Sequence, residues 1–204
     1  MNRAPVLCAL LACATLAMVP LDPGMRPAGD TLAEWARFSR TARARALVEW
    51  AHCVMRGELA GPRCEAVIPG GTPPLYGSAG VFVTLVRAGK VRGCFGAFHH
   101  ASESLEAILR DYISGALRRD PRYAPLEPGE LDGASVIITV AGMEFPVDDL
   151  AAVDLARSGL VFSMDGGERL LFVPSEIKSI DYLKKLVRMQ SVVQITAFRA
   201  VSIR

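Results

Sequence analysis

The sequence has little of what marks the commoner functional classes. Aromatic residues make up 7% of it, and the net charge is only +2 over 204 residues. So slight an excess excludes a nucleic-acid binder, which needs a concentrated basic face. The densest basic run, Arg37, Arg40, Arg43 and Arg45, falls within one predicted helix and reads as its solvated face. No internal repeat or low-complexity tract occurs. Gly70-Gly71 and Gly166-Gly167 lack the strand–helix setting and the lysine of a phosphate loop. Cys94, His99 and His100 could supply three metal ligands within seven residues, but adjacent histidines in a strand point opposite ways and no second cluster exists, which disfavours a metal site. No metal and no cofactor is implied. Asp148-Asp149 stands where a turn or helix start favours negative charge and needs no catalytic role.

Long apolar runs are also scarce. Ala4 to Val19, preceded by Arg3 and followed by Pro20-Leu21-Asp22-Pro23-Gly24, is short of the roughly 20 residues of a membrane span. A short positive start, an apolar core and a polar tail describe a secretory signal peptide, so residues 1–30 read as signal and leader and residues 31–204 as one domain. Export to the periplasm or the extracellular space follows, with membrane contact only through the signal. Leu10-Leu11-Ala12-Cys13 resembles a lipoprotein box, which makes a lipid anchor the alternative. Of five cysteines, Cys8 and Cys13 lie in this leader. Cys53 and Cys64 are spaced to close a disulfide in an oxidising compartment, which leaves Cys94 as the odd thiol.

Hydrophobic periodicity predicts a helix from Thr31 to about Gly57, with Trp35 and Trp50 packing inward. A Pro/Gly-rich loop covers Gly61 to Gly77. Ser102 is placed to cap a second helix reaching Arg119, and Asp120-Pro121 stops it. Strands are predicted at Ala134–Ala141, Gly159–Met164, Arg169–Val173 and Val192–Ile203, the last with Val193, Ile195, Ala197, Val201 and Ile203 on one side. Pro174 starts a third helix to about Met189. Hairpins mixed with long helices, without βαβ alternation, give an α+β fold of mixed or antiparallel strands with three main helices.

The stretch Gly80–Phe98 is organised differently from the rest. It reads as two apolar strands joined at Ala88-Gly89-Lys90, the second carrying Arg92-Gly93-Cys94-Phe95-Gly96. Glycines inside a strand cost stability, so they imply a close backbone approach, a bulge or a ligand.

Gly80-Val81-Phe82-Val83-Thr84-Leu85 followed by Val91-Arg92-Gly93-Cys94-Phe95-Gly96 resembles the GVFVT and LRGCIG signature of the AMMECR-type domain family. Asp120-Pro121-Arg122-Tyr123 is similar to its DPRF motif, Glu130-Leu131 to its EL segment, Ser158-Gly159-Leu160-Val161 to its HGL turn, and Leu171-Phe172-Val173-Pro174 to its LLP. The match runs over roughly residues 31–204. Ser158 replaces the family's histidine, and the KAG segment before the last strand is missing or very short. The resemblance implies one α+β unit of a larger and a smaller lobe, with the signature strand near the cleft between them. Bacterial members resemble protein A of the AmmeMemoRadiSam system, which implies a Memo-like protein and a radical-SAM enzyme as partners. No settled activity comes with the family.

Two functions follow. The first is a non-catalytic binding or accessory module whose inter-lobe cleft involves Gly93, Phe95, Gly96, Asp120 and Arg122. The second is an enzyme with Cys94 as nucleophile. Strand alternation places Arg92 on the side of Cys94, where it would stabilise a thiolate. Against that stands the frequency with which free cysteine is simply buried.

Overall fold

The computed structural model describes residues 28–75, 79–100, 102, 104–187 and 189–204. The expected signal segment lies outside these, apart from the backbone of residues 28–30. The chain folds as helix α1 (Ala28–Phe38), helix α2 (Ala42–Leu59), strands β1 (Gly80–Arg87) and β2 (Lys90–Ala97), helix α3 (Leu105–Arg118), strands β3 (Ala134–Pro146), β4 (Ser158–Met164) and β5 (Arg169–Phe172), helix α4 (Ile180–Leu186) and strand β6 (Val192–Ile203). All six strands join one sheet in the order β2-β1-β3-β6-β4-β5, and every neighbouring pair is antiparallel.

The long strands β3 and β6 hold two lobes together. Helices α1 to α3 pack on one face of β1, β2 and β3, where Trp35, Leu47, Met55, Leu109, Ile113, Val83, Leu85 and Ile138 form the larger core. Leu160, Phe162, Phe172, Leu183 and Val187 form a second core between β4, β5 and α4. A third cluster joins the two halves: Phe82, Cys94, Ala141, Val161, Val173 and Phe198, with Phe98 against it. Its rings meet edge-on or stacked at 5.2–6.0 Å, a geometry favourable to aromatic quadrupoles. The indole N–H of Trp35 donates to Pro74 O and that of Trp50 to Ala66 O, so both tryptophans pack inward and pin the loop after α2. Cys53 and Cys64 are bonded, with Cα atoms 5.6 Å apart, and fasten the start of that loop.

Four expectations need correction. The first long helix is broken at Ser39-Arg40-Thr41: Ser39 Oγ donates to Ala36 O and Thr41 Oγ1 to Phe38 O, and Thr41 then caps α2. These hydroxyls compete with the backbone for helix carbonyls. Ser104, not Ser102, caps α3, and Ser102 Oγ instead accepts from the Ser104 amide. After β5 the chain makes only a 3₁₀ turn at Pro174–Glu176, and α4 begins at Ile180, six residues after Pro174, behind its cap, Ser179. Among the described residues there are therefore four α-helices, besides short 3₁₀ turns. Finally, Val193 is 68% exposed, because the register of β6 against β4 shifts between Ser163 and Met164.

Candidate functional site

The glycines of β2 are explained by close packing. An added Cβ at Gly93 would lie 2.0 Å from Ala116 O of α3, and one at Gly96 would lie 2.2 Å from Val81 O of β1. Helix α3 therefore rests directly on the strand backbone at Gly93. At the hairpin tip both Ala88 and Gly89 have positive φ, at 48° and 71°, as a tight two-residue turn requires.

With α3 seated there, its C-terminal end reaches the outer edge of β2. Strand β2 is an edge strand, and the amide of Cys94 donates to Asp120 Oδ2 at 2.8 Å. Asp120 thus covers a backbone donor that an edge strand otherwise leaves open. Its Oδ1 accepts from the Arg122 amide at 3.0 Å, and the Arg122 guanidinium holds both carboxylate oxygens at 2.9 Å. Asp120 is buried. Desolvation pushes its carboxyl pKa up, but the bonds from Arg122 and from the Cys94 amide outweigh it, and the carboxyl stays below its ordinary value.

Glu176 closes the cluster from the smaller lobe. The 3₁₀ turn at Pro174–Glu176 folds its side chain back, so that Oε2 accepts from the Val173 amide at 3.1 Å. Its Oε1 is closed off from solvent and lies 2.9 Å from Arg122 Nη2, an ion pair, and the Cys94 thiol also hydrogen-bonds the Glu176 carboxyl. Burial raises the Glu176 pKa, against the opposing pull of Arg122.

Cys94 lies beneath this cluster, 7% exposed, and is the free cysteine among the described residues. Thr84 Oγ1 donates to its Sγ at 3.4 Å, and Ser175 Oγ donates to Thr84 Oγ1 at 3.1 Å. Burial, and then the Glu176 carboxylate, hold its thiol well above the ordinary cysteine pKa, with Thr84 and Arg122 pulling the other way. The expected pairing of Arg92 with Cys94 is not what the geometry gives. Arg92 makes two 2.9 Å bonds to Glu130, and the guanidinium that acts on Cys94 is Arg122. His100 is also engaged elsewhere: Nδ1 lies 2.9 Å from the Tyr112 hydroxyl and Nε2 lies 2.9 Å from Ala79 O.

A cavity of about 400 Å³ opens above the cluster, lined by Arg122, Tyr123, Leu170, Phe172, Glu176, Tyr182 and Leu186. Arg122 and Tyr123 belong to the larger lobe's loop and the other five to the smaller lobe. Of the five residues expected in the cleft, Arg122 lines this cavity and Asp120 holds Arg122 from below. Gly93, Phe95 and Gly96 do not line it. Phe95 faces α3 instead, with its ring 5.8 Å from that of Tyr112 and the Arg119 guanidinium 4.4 Å above it. Glu176 and Tyr182 are not singled out by the sequence, and Tyr123 enters there only as the last residue of the DPRF-like motif. Pro174 followed two residues on by Glu176 is the one visible signal, since it marks a turn whose carboxylate folds inward.

The family model described as AMMECR1 matches residues 48–200. A Thermotoga maritima protein is 32% identical over 112 residues, which cover 54% of this chain and 63% of that protein. The chain thus spans somewhat less than two thirds of that relative. A Methanosarcina acetivorans protein is 33% identical over 140 residues, covering 64% of this chain and 68% of its own. A Methanothermobacter thermautotrophicus protein is 30% identical over 148 residues, covering 69% and 75%. The crystal structure of an uncharacterized Pyrococcus horikoshii protein superposes with a TM-score of 0.56, covering 83% of this chain and 90% of that one at 20% identity, which is a likeness of fold.

Proposed function

We propose that this chain, which belongs to the AMMECR1 family, is a non-catalytic binding module whose inter-lobe cleft holds a small ligand or a partner segment. The observation that carries the reading is the contrast between Cys94 and the cavity. The thiol is buried, bonded to a neutral hydroxyl and held in its protonated form, whereas the cavity is walled by aromatic and aliphatic side chains over a few convergent polar groups. Such a mixture is usual in ligand sites of 300–1,000 Å³. A catalytic cysteine needs the reverse of this setting, with a lowered pKa, access and a base in reach.

Thiol alkylation tests the choice. Under the binding reading, Cys94 reacts slowly with iodoacetamide below pH 8 until the protein is denatured, and Cys94→Ser retains partner binding. Rapid labelling of the native protein would establish the cysteine-enzyme alternative instead.

Export is part of the same proposal. The Cys53–Cys64 disulfide supports an oxidising compartment. Among the described residues no helix is long and apolar enough to cross a membrane. By family resemblance the partners are a Memo-like and a radical-SAM protein. A pull-down from the native envelope fraction checks both points, and recovery of the chain only from cytosol would defeat the export reading.

A further inference from the structure

The last residues of β6 leave part of the sheet open. Strand β4 starts opposite Arg199, whereas β6 continues beside β3 until Ile203 faces Ile138. The Ala200 amide points to the β4 side and donates to Arg157 O at 2.8 Å. Backbone groups two residues apart in a strand point to the same edge, so the Ser202 amide and carbonyl point there too. No strand meets them. The Arg157 amide turns back to Asp154 O, and among the described residues no hydrogen bond reaches the Ser202 backbone from that side. An open edge of this kind is a template for another strand.

The edge runs along a groove of about 810 Å³ in which Ala200, Val201 and Ser202 take part. Ala36, Ser39 and Arg40 come to it from the end of α1, and Pro174, Ile177 and Lys178 from the smaller lobe. Leu155, Ala156 and Arg157 come from the turn before β4. The groove shares no lining residue with the cavity over Arg122.

Its charge is of one sign. Arg40, Arg157, Lys178 and Arg204 line it, all four exposed, and no aspartate or glutamate does. Among the described residues none of the four makes an ion pair; Lys178 lies 5.3 Å from the Tyr182 ring, a contact that leaves its charge without a carboxylate. The cations come from separate segments and none is buried, so they suit negative charges spaced along a chain rather than one compact anion, which needs convergent donors.

We propose that this groove docks an extended acidic segment of a partner protein, which pairs with the Ser202 edge and adds a strand beside β6 on the side that β4 occupies farther along. Its acidic side chains meet Arg40, Arg157, Lys178 and Arg204, and the alternate side chains lie against Leu155 and Ile177. Main-chain bonds supply affinity in strand addition, and the cations set the sign of the charge accepted. This groove and the Arg122 cavity are independent sites.

The test is an NMR titration of the full chain, with its Cys53–Cys64 disulfide intact. Three peptides are used: acetyl-EVEVEV-amide, acetyl-KVKVKV-amide, and the acidic peptide N-methylated throughout, which cannot donate to a strand edge. The acidic peptide is expected to bind about tenfold or more tighter than the basic one, as a few exposed charge pairs allow. It should also shift the Ser202 amide signal and slow its hydrogen exchange, and N-methylation should abolish both effects. Arg40→Glu combined with Arg157→Glu is expected to reverse the order of the acidic and basic peptides. The peptide comparison on the unaltered protein reads the proposal even where that variant fails to fold. Equal affinities overturn it, and so does an acidic peptide that binds without moving the Ser202 amide signal. A Ser202 amide already protected in a concentration-dependent dimer overturns it in favour of a second copy of the chain. Absence of binding by all three peptides at millimolar concentration overturns it as well, and each of these results leaves the reading of the Arg122 cavity intact.

Discussion

Pro128-Gly129-Glu130 and Pro174-Ser175-Glu176 are the same local device in two places. Each is a 3₁₀ turn started by proline, and in each the third residue's carboxylate accepts from the amide of the residue before the proline, at 3.1 Å. Their fates differ. Glu130 is partly exposed and bidentate with Arg92, and its pKa falls to about 2, first through that hydrogen bond. Glu176 is buried, shares Arg122 with Asp120, and has its pKa raised by desolvation. Local sequence builds the turn; the surroundings choose the sign of the shift. The larger downward shift also sits where water screens it, so it says little about stability.

Removing Asp120, which shares Arg122 with Glu176, should have the largest effect. Asp120→Asn removes the charge and leaves one neutral acceptor where Arg122 had two, the other becoming an NH2 donor that faces donors, and about 2–3 kcal/mol of stability should be lost by denaturant unfolding. That is below the full cost of a broken buried pair, because Arg122 is partly exposed. Because the Asp120 pKa is lowered in the fold, its contribution is present above the ordinary aspartate value of 3.8 and is lost as pH falls through the folded value. Asp120→Asn should therefore flatten the acid limb of the stability curve, and an unchanged limb would show that the pair contributes nothing.

Next in size is Cys94→Ser, which puts a hydroxyl beneath the cluster, within reach of Thr84 and the Glu176 carboxyl. A loss of about 1–2 kcal/mol is expected from the buried polar group. Stability above the wild type would contradict the close packing inferred around Sγ.

The two glutamates should then respond with opposite signs. A raised carboxyl pKa means that Glu176 favours the fold when protonated, and that contribution is lost as pH rises above the ordinary value of 4.5 through the folded one. Glu176→Gln should accordingly melt at or above the wild type at pH 8 and lose part of the decline in stability toward alkaline pH. Glu130→Gln should lower the melting temperature slightly at low salt and not at all in 1 M salt, where the Debye length is about 3 Å. If both substitutions destabilise alike, the contrast between the turns is void.

Much of the architecture was legible from residue pattern. The Ala88-Gly89 hairpin, the halt of α3 at Asp120-Pro121, the pair β4 and β5 and the strand β6 follow from turn chemistry and periodicity, which act over a few residues. The glycines beside Cys94 announced a close approach, but not that Ala116 of α3 makes it. Helix boundaries at Thr41 and Ser179 were missed because hydroxyls there satisfy backbone groups ahead of propensity. Arg92 was assigned to Cys94 on strand alternation alone, and alternation does not specify which carboxylate a flexible guanidinium will find.

The sequence by itself determined the elements, the α+β class, the cysteine left over from Cys53 and Cys64, and the signature strand Gly80–Phe98, since each depends on backbone sterics, periodicity or residue identity. Only the tertiary structure decided that Asp120, Arg122 and Glu176 converge over Cys94, and that Glu176 is buried where Glu130 is not. Charge and desolvation depend on which groups meet and how much water they lose, and in this protein those groups come from two lobes more than fifty residues apart.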